Sequence, residues 1–165
     1  MMIDKIESHL NAKFPDALSN VAAGDRHVIF AVEQKESYPV LGELKSIGFD
    51  HLSDVTAVDY IDQQEFELIY HLRSHQQRIR ALMKVRIPRQ SPVASSVTAL
   101  WGGAQMHERE IHELFGIDFL GNPDLSELFL EDWEEIPPFR KDFDTRKYVK
   151  EEYYGDEEQY PVVKG

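Results

Sequence analysis

The stretch "EFELIYHLRSHQQRIRALMKVRIP", Glu65 to Pro88, contains two runs in which apolar and polar side chains alternate. Alternation with a period of two is typical of a β-strand that lies with one face against a core. The residues "SHQQ" between the runs form a hairpin-sized connection, so the two strands should pair antiparallel. Pro88 should end the second strand, because proline lacks a backbone N–H. The predicted apolar faces are Phe66, Leu68, Tyr70 and Leu72, and Ile79, Ala81, Met83, Val85 and Ile87.

Two strands and two helices are predicted before this hairpin. "RHVIFAVE" (residues 26–33) alternates in the same way, and "HLSDVTAVDY" (residues 51–60) also predicts a strand. A stripe of apolar residues predicts an amphipathic helix over residues 2–14, and Ser37 is placed to cap a second helix that stops at Gly48. The sequence therefore predicts an α+β fold, with a mainly antiparallel four-stranded sheet flanked by helices.

The chain after the hairpin divides into a helical part and a longer segment without clear periodicity. Ser91-Pro92 predicts a helix start, and Gly102-Gly103 should break that helix before a second helical piece that ends at Gly116. With these elements, residues 1–119 should form a closed α+β core domain.

Residues 120–165 are predicted to be an extended, partner-binding C-terminal segment. They combine prolines, charges and aromatic residues, so they are too polar to fold alone but contain side chains suited to anchoring on another surface. One short helix is predicted over residues 124–130, with Asp124 as its N-cap.

Composition excludes several classes of function. The chain has no cysteine, which removes disulfides, thiol catalysis and cysteine-ligated iron–sulfur clusters. A formal net charge of -12 disfavours nucleic acid and anionic membranes as direct partners. No apolar run is long enough to span a bilayer, and the acidic N-terminal residues do not resemble a signal peptide. We therefore expect a cytoplasmic protein that meets a membrane only indirectly.

The charged stretch "QMHEREIHELFG", residues 105–116, raises the possibility of a metal or acid/base site. A stand-alone metal-dependent hydrolase would use His107, Glu108 and His112. The two histidines are five positions apart, so on a regular helix they point about 140° away from each other. They cannot bind one metal ion from such a helix, so the spacing argues against this alternative.

Glu108 is the unusual acid in this stretch. It lies on the apolar stripe formed by Ala104, Ile111 and Phe115. An acid on a buried stripe needs a partner, and Arg109 or Arg140 is the predicted one.

A longer stretch, "EREIHELFGIDFLGNPDLSELFLEDWEEIPPFRKDF" (residues 108–143), resembles the thirty-kilodalton subunit family of respiratory complex I. The matching blocks keep their order and spacing, and the resemblance covers about residues 1–145. The chain departs from the family pattern at Asn122, Ser126, Glu127 and Phe139. The matching blocks are Glu108-Arg109-Glu110, Glu113-Leu114-Phe115-Gly116, Pro123-Asp124-Leu125, Asp132-Trp133 and Arg140-Lys141-Asp142-Phe143.

The resemblance implies a protein that carries no cofactor and catalyses nothing alone. It implies a structural role in a complex I-like oxidoreductase, where NADH, reduced coenzyme F420 or ferredoxin supplies electrons to a quinone-type acceptor. The implied partners are a large subunit homologous to the nickel–iron hydrogenase catalytic chain and a small iron–sulfur subunit, at the cytoplasmic face of the membrane. The alternative is the equivalent subunit of an energy-converting membrane-bound nickel–iron hydrogenase, whose metal centres also lie in partner subunits.

The resemblance and the charge pattern together predict a partner interface. Its residues belong to the charged helix and to the segment that follows. They are Glu108, Arg109, Glu110, Glu113, Asp124, Trp133, Phe139, Arg140, Lys141, Asp142 and Phe143.

Overall fold

A five-stranded, mainly antiparallel sheet forms the centre of the computed structural model, which describes residues 2–154. The strands lie in the order β1-β2-β5-β4-β3, and only the β2–β5 pair is parallel. The strands of this sheet are β1 (Leu18–Ala23), β2 (His27–Val32), β3 (His51–Tyr60), β4 (Glu65–Ser74) and β5 (Ile79–Pro88). The predicted α+β class is confirmed, but the sheet has five strands rather than four.

The predicted hairpin forms the longest uninterrupted pairing in the sheet. β4 and β5 pair without interruption from Glu65↔Pro88 to Ser74↔Ile79. All of the predicted apolar positions on both strands are buried. The alternation fixes the register, because a shift of one residue would turn every apolar side chain outward.

Three helices complete the hydrophobic core, and the apolar face of each helix is buried in it. These are α1 (Met2–Lys13), α2 (Gln34–Ser46) and α3 (Ala104–Phe115). Their buried side chains, such as Leu10, Leu44 and Ile111, join the inward face of the sheet in one hydrophobic core. The outer face of β4 and β5 carries half-buried and exposed side chains, apart from the buried Glu67. None of the helices within residues 2–154 has both the length and the apolar character needed to cross a membrane.

The second helix begins earlier than predicted. It starts at Gln34, and Ser37 lies inside the helix, where its Oγ donates to the Gln34 carbonyl at 2.7 Å. Gly48 follows the helix with a φ of 104°, as a helix-ending glycine should.

The helix predicted from Ser91-Pro92 is wrong. Val93–Ser95 is instead a short strand, β6, that pairs in parallel with β7 (Asp118–Leu120). Asp118 N donates to Pro92 O and Ser96 N donates to Leu120 O, both at 2.9 Å. Backbone N–H and C=O groups that would bond to each other within a helix therefore form hydrogen bonds between the two strands.

The remaining elements are short. A 3-10 turn (Ile61–Gln63) links β3 to β4, and α4 (Thr145–Val149) is followed by one π-helical turn (Lys150–Tyr154). The helix predicted over residues 124–130 is wrong, because this stretch has no regular secondary structure. The proposed domain boundary between residues 119 and 120 falls inside β7.

The folded-back segment as a candidate assembly interface

The predicted interface residues lie on α3 and on residues 121–144, which fold back over the core and are called the folded-back segment below. Helix α3 ends at Gly116, whose φ of 72° allows the chain to turn, and Gly116 N donates to His112 O at 2.8 Å. A Cβ at this position would stand 3.1 Å from Pro137 Cγ, so the segment passes close to the helix end. Four sets of polar contacts and one aromatic contact then hold the segment in place.

Glu108 is fully buried and forms the first contact. Its carboxylate accepts hydrogen bonds from Val97 N at 2.7 Å, Ser96 Oγ at 2.7 Å and Asn122 Nδ2 at 2.8 Å. Burial raises the pKa of Glu108, although these three donors act in the opposite direction. The arginine partners predicted from the sequence are wrong, because neutral donors surround this acid. Its side chain is inaccessible from the surface of the chain, so it cannot contact a partner directly.

Arg109 reaches outward from α3 and forms the second contact. Its Nε donates to Ser126 O at 2.6 Å and its Nη2 donates to Glu127 O. Asp124 lies 3.8 Å from the same guanidinium and also accepts from Ser126 N and Ser126 Oγ, at 3.0 and 2.6 Å. Arg109 and Asp124 thus hold residues 124–127 in a turn, at the place where the sequence predicted the start of a helix.

Glu113 forms the third contact with three successive backbone N–H groups. Its carboxylate accepts from Leu128 N at 2.7 Å, Phe129 N at 3.0 Å and Leu130 N at 3.1 Å. Burial by itself would raise the pKa of Glu113, but these N–H groups and the nearby Arg109 charge outweigh it and lower the pKa. The ionised carboxylate therefore organises this loop much as a bound anion would.

The fourth polar contact is a partly buried ion cluster between the core and the end of the segment. Arg89 donates to both carboxylate oxygens of Asp59, at 2.9 and 3.1 Å, and its Nη2 donates to Asp142 at 2.6 Å. Lys141 N also donates to Asp59, at 2.8 Å. Burial opposes ionisation of Asp59, but Arg89 and this N–H keep its pKa low. The bond from Arg89 is the main cause of the lowered pKa of Asp142.

Aromatic rings provide the remaining contact. Phe139 N donates to Leu114 O at 3.0 Å, and its ring meets Phe115 edge to face at 5.6 Å. Phe115 in turn meets the fully buried Phe66 at 6.2 Å. Arg140 lies over the same Phe66 ring at 5.8 Å, which ties this part of the segment to the sheet.

A second aromatic group lies outside the main core. Trp133 packs against Phe143 at 5.5 Å and Tyr148 at 4.9 Å, and its Nε1 donates to Ile136 O at 3.2 Å. Asp144 caps α4 by accepting from Arg146 N and Lys147 N. This small cluster gives the end of the segment local order that its polar composition did not predict.

The remaining candidate residues are placed as follows. Glu110 is half-buried and has no hydrogen bond or ion pair within residues 2–154. His107 lies 3.3 Å from Asp54, whereas His112 lies near Ile117 O and Asp118, at 3.1 and 3.2 Å. The two histidines therefore have separate surroundings, and the described part of the chain has no group of three or more residues suited to a metal ion. His107 and His112 therefore do not share a site in this structure.

The sequence analysis did not identify Asp59, Arg89 or Ser96 as members of this arrangement. It named Asn122 but did not predict its hydrogen bond to Glu108. One signal was available, because Asp59 follows Val55 and Ala57 on the buried face of β3. A charged residue at such a position needs a buried partner. Nothing in the local pattern identifies that partner as Arg89, which lies 30 positions away.

Comparisons with known proteins show which family this chain is similar to. Residues 30–149 match the family described as "Respiratory-chain NADH dehydrogenase, 30 Kd subunit". The chain is 38% identical to one subunit of the F(420)H(2) dehydrogenase of Methanosarcina mazei, covering 84% of this chain and 89% of that protein. It is 37% identical to one subunit of the NADH-quinone oxidoreductase of Moorella thermoacetica, covering 86% and 95%.

Two solved structures share the fold. A chain of the membrane-bound sulfane sulfur reductase, an archaeal respiratory membrane complex, superposes with a TM-score of 0.86 at 28% identity, covering 100% of this chain and 99% of that one. The trypsin-resistant fragment of Nqo5 superposes with a TM-score of 0.65 at 26% identity, covering 76% and 100%. This chain belongs to the 30 Kd subunit family of the respiratory-chain NADH dehydrogenase, whose members are subunits of membrane-bound oxidoreductase complexes.

Proposed function

We propose that this chain is a non-catalytic structural subunit of a complex I-like membrane oxidoreductase. In this proposal it braces the large subunit, homologous to the nickel–iron hydrogenase catalytic chain, and the small iron–sulfur subunit on the cytoplasmic side. Electron transfer belongs to those partners, and this chain holds no cofactor of its own. A chain without cysteine has no thiolate with which to bind an iron–sulfur cluster, which supports this division of roles.

The distribution of exposed apolar side chains carries the proposal. Nine large hydrophobic residues are exposed in the described part of the chain, and six of them lie between Leu120 and Tyr154. Phe129 and Phe139 are 65% and 58% exposed, although their backbones are fixed by contacts with α3. Ordered, exposed aromatic residues are the usual anchors of protein–protein interfaces.

The polar motif residues have a different role in this proposal. Glu108, Arg109 and Glu113 point into contacts with the chain itself, so they position the folded-back segment rather than touch a partner. Direct contacts come from exposed residues such as Phe139 and Lys141. In this proposal, one set of residues positions the folded-back segment and another set contacts the partner.

Affinity purification from solubilised membranes tests this function. A tag on this chain should capture the large and small subunits, and nickel analysis of the complex distinguishes a hydrogenase from the quinone-type enzyme. Phe129→Ala should reduce capture by on the order of tenfold, because aromatic anchors dominate interface affinity. Tyr38→Ala, at an exposed aromatic residue on α2, is the matched control. If the tagged chain comes out of the membranes alone, the proposal is wrong.

A further inference from the structure

Four basic residues form a line across one end of the sheet, on the outer face. His27 of β2 pairs with Arg80 of β5. Arg80 pairs on its other side with Arg73 of β4, and Arg73 pairs with His51 of β3. Directly paired residues point to the same face, and neighbouring strands lie about 4.8 Å apart, so the side chains are adjacent. All four are exposed, and they are called the basic row below.

Two further arginines lie at the same end of the sheet. Arg26 precedes β2, and its carbonyl accepts from Arg80 N at 2.9 Å. Arg78 closes the β4–β5 loop with a φ of 57° and comes directly before β5. Both are exposed, and no lysine lies among them. The basic row and its two neighbours therefore form a patch in which every permanent positive charge is a guanidinium group.

None of these four arginines has a partner in the described part of the chain. The structure gives Arg26, Arg73, Arg78 and Arg80 no side-chain hydrogen bond, ion pair or ring contact within residues 2–154. In contrast, Arg86 on the same face of β5 bonds Glu67 at 2.8 Å and lies over Tyr60 at 3.7 Å. The acids at this end are Asp25, beside Arg26 in sequence, and Asp50, which bonds His75.

This arrangement opposes the stability of the isolated sheet. Like charges directly opposite each other on neighbouring strands repel, and Arg73 and Arg80 are such a pair. The chain has 30 acidic and 18 basic residues, so carboxylates are abundant, yet none is within ion-pair distance of this pair among the described residues. A compensating negative charge from outside the folded chain would remove the repulsion.

We propose that the basic row binds an acidic segment of a neighbouring protein subunit. Guanidinium groups hold carboxylates through two parallel hydrogen bonds, and arginine is enriched at protein interfaces where lysine is depleted. Half-buried Ile29 and Leu82 pair in the next line of the same face and provide an apolar floor beside the charges. The net charge of -12 disfavours an anionic bilayer as the occupant.

The geometry suits an extended segment that crosses the strands. Alternate side chains of such a segment lie about 6.6 Å apart on one side, within reach of the two flexible arginine side chains on adjacent strands. The inference rests on the proposed function only in requiring that the chain assembles with other proteins. It concerns the sheet, on a different set of residues from the folded-back segment.

Carbodiimide cross-linking identifies the occupant directly. Arg73→Lys and Arg80→Lys keep the charge and supply an amine that this reagent couples to a carboxylate in contact. In the complex captured through a tag on this chain, Lys at either position should cross-link to an Asp or Glu of another subunit. Lys35 serves as the internal control, because it lies 2.8 Å from Glu33 of the same chain. Cross-links confined to this chain, including residues 155–165, would overturn the proposal, as would none beyond the control.

Charge removal gives a second measurement. Arg73→Gln/Arg80→Gln should release the protein from its complex at lower NaCl, with affinity reduced on the order of tenfold near 0.1 M salt. Lys5→Gln/Lys35→Gln removes the same charge from exposed helix positions and should change affinity less than about twofold. The Tm of the free double arginine variant should be equal to or above that of the natural chain, because repulsion is relieved.

The outcomes separate the two proposals. If the natural chain captures no other protein of the complex, the proposed function and this inference both fail. If capture succeeds but the arginine variant behaves like the lysine control, only the inference fails. A lower Tm would show that the arginines already have partners within the chain, and arginine-dependent binding of the free chain to phosphatidylglycerol vesicles would assign the row to lipid; either result overturns the acidic segment.

Discussion

Arg89 and Asp142 lie 53 positions apart in the sequence, yet Arg89 Nη2 donates a hydrogen bond of 2.6 Å to Asp142 Oδ1. The same guanidinium is 7% exposed and holds Asp59, whose side chain is fully buried. The core therefore contains an ion cluster that only the folded-back segment completes. This relationship makes the segment a part of the fold as well as a candidate interface.

Arg89→Met should strongly destabilise the protein. Methionine retains much of the volume but leaves Asp59 as a buried acid without its cation, which costs about 3–5 kcal/mol in unfolding free energy. Urea denaturation followed by circular dichroism measures the loss. Lys35→Met is the control, because the ion pair of Lys35 with Glu33 joins two exposed side chains, 73% and 66% accessible, and should contribute little to stability. Equal losses in the two variants would contradict the importance given to the ion cluster.

Acid should loosen the folded-back segment through the same cluster. Asp59, Asp142 and Glu113 all have lowered pKa values in the folded chain. The unfolded chain then binds protons more readily, so their stabilising contribution is complete above the unfolded pKa values of about 3.9–4.3. It is lost as the pH falls through the lower folded pKa values.

The denaturation midpoint between pH 6 and pH 2.5 measures this dependence. Asp142→Asn should make the acid-side slope shallower, because one depressed carboxyl no longer titrates. Asp62→Asn, at an exposed residue of the 3-10 turn, is the control for removing one carboxylate from the surface. An Asp142→Asn profile identical to that of the natural chain would remove Asp142 from the acid response.

The sequence predicted those parts of the fold where local pattern and burial agree. Strand β5 alternates at every position and lies where its pattern places it, between two paired neighbours. Strand β1 was missed because "LSNVAA" lies at the edge and most of its side chains are exposed, so it has no alternation to detect. Its bulge between Ser19 and Ala22 further disrupts the period.

The errors after β5 have a tertiary origin. The residues after Asp124 have a good helix start, but Glu113 accepts their N–H groups from outside and Arg109 takes their carbonyl oxygens. Contacts from another element thus replaced the local hydrogen bonds of a helix. At the candidate site, the motif residues were found by resemblance. Arg89 and Ser96 were not, because their partners are distant in sequence.

Glu108 should tolerate glutamine better than alanine. Glutamine keeps the size and one oxygen for Val97 N, and Ser96 Oγ can accept from its amide, so only the bond from Asn122 is lost. Alanine leaves the buried Val97 N without its acceptor, whereas Ser96 Oγ keeps Thr98 and Asn122 Nδ2 keeps Gln105 O. One unsatisfied buried donor costs about 1–3 kcal/mol, so the unfolding free energy should fall by at least about 1 kcal/mol. Glu110→Ala on the same helix, where no hydrogen bond is lost, should change it by less than about 0.5 kcal/mol.

The pH dependence of these Glu108 variants gives an independent check. The pKa of Glu108 is raised in the folded chain, so the stability it contributes is complete below the unfolded pKa of about 4.3. That contribution is lost as the pH rises through the folded value. Glu108→Gln should abolish this decline, and its persistence in the variant would assign the decline to another group.

Glu113→Gln should loosen the loop at Leu128–Leu130 without unfolding the core. A neutral amide binds three N–H groups more weakly than a carboxylate does, so these amides should exchange with solvent faster by on the order of tenfold. Hydrogen exchange followed by mass spectrometry reports this loop separately from β4 and β5. Glu110→Gln is the control on the same helix, and faster exchange throughout the sheet would show a global loss of stability instead.

Two truncations test whether the folded-back segment belongs to the core. A chain ending at Asp144 keeps Asn122, Phe139 and Asp142, and loses only Tyr148 from the Trp133 cluster. It should unfold within about 2 kcal/mol of the full chain, because the rings it disturbs lie outside the main core.

A chain ending at Leu120 loses the contacts made by Asn122, Phe139 and Asp142. Arg89 then keeps Asp59 but loses Asp142 and the Lys141 N–H that also serves Asp59. Glu108 loses one of its three donors, and the half-buried Phe115 loses the ring that covers it. Each buried polar group left short of a partner costs about 1–3 kcal/mol, so the total approaches the 5–15 kcal/mol that stabilises a typical domain. Urea denaturation of the shorter chain should show a much lower midpoint or no cooperative transition. If this chain instead unfolds like the full one, residues 1–120 are a self-sufficient domain and the segment serves assembly alone.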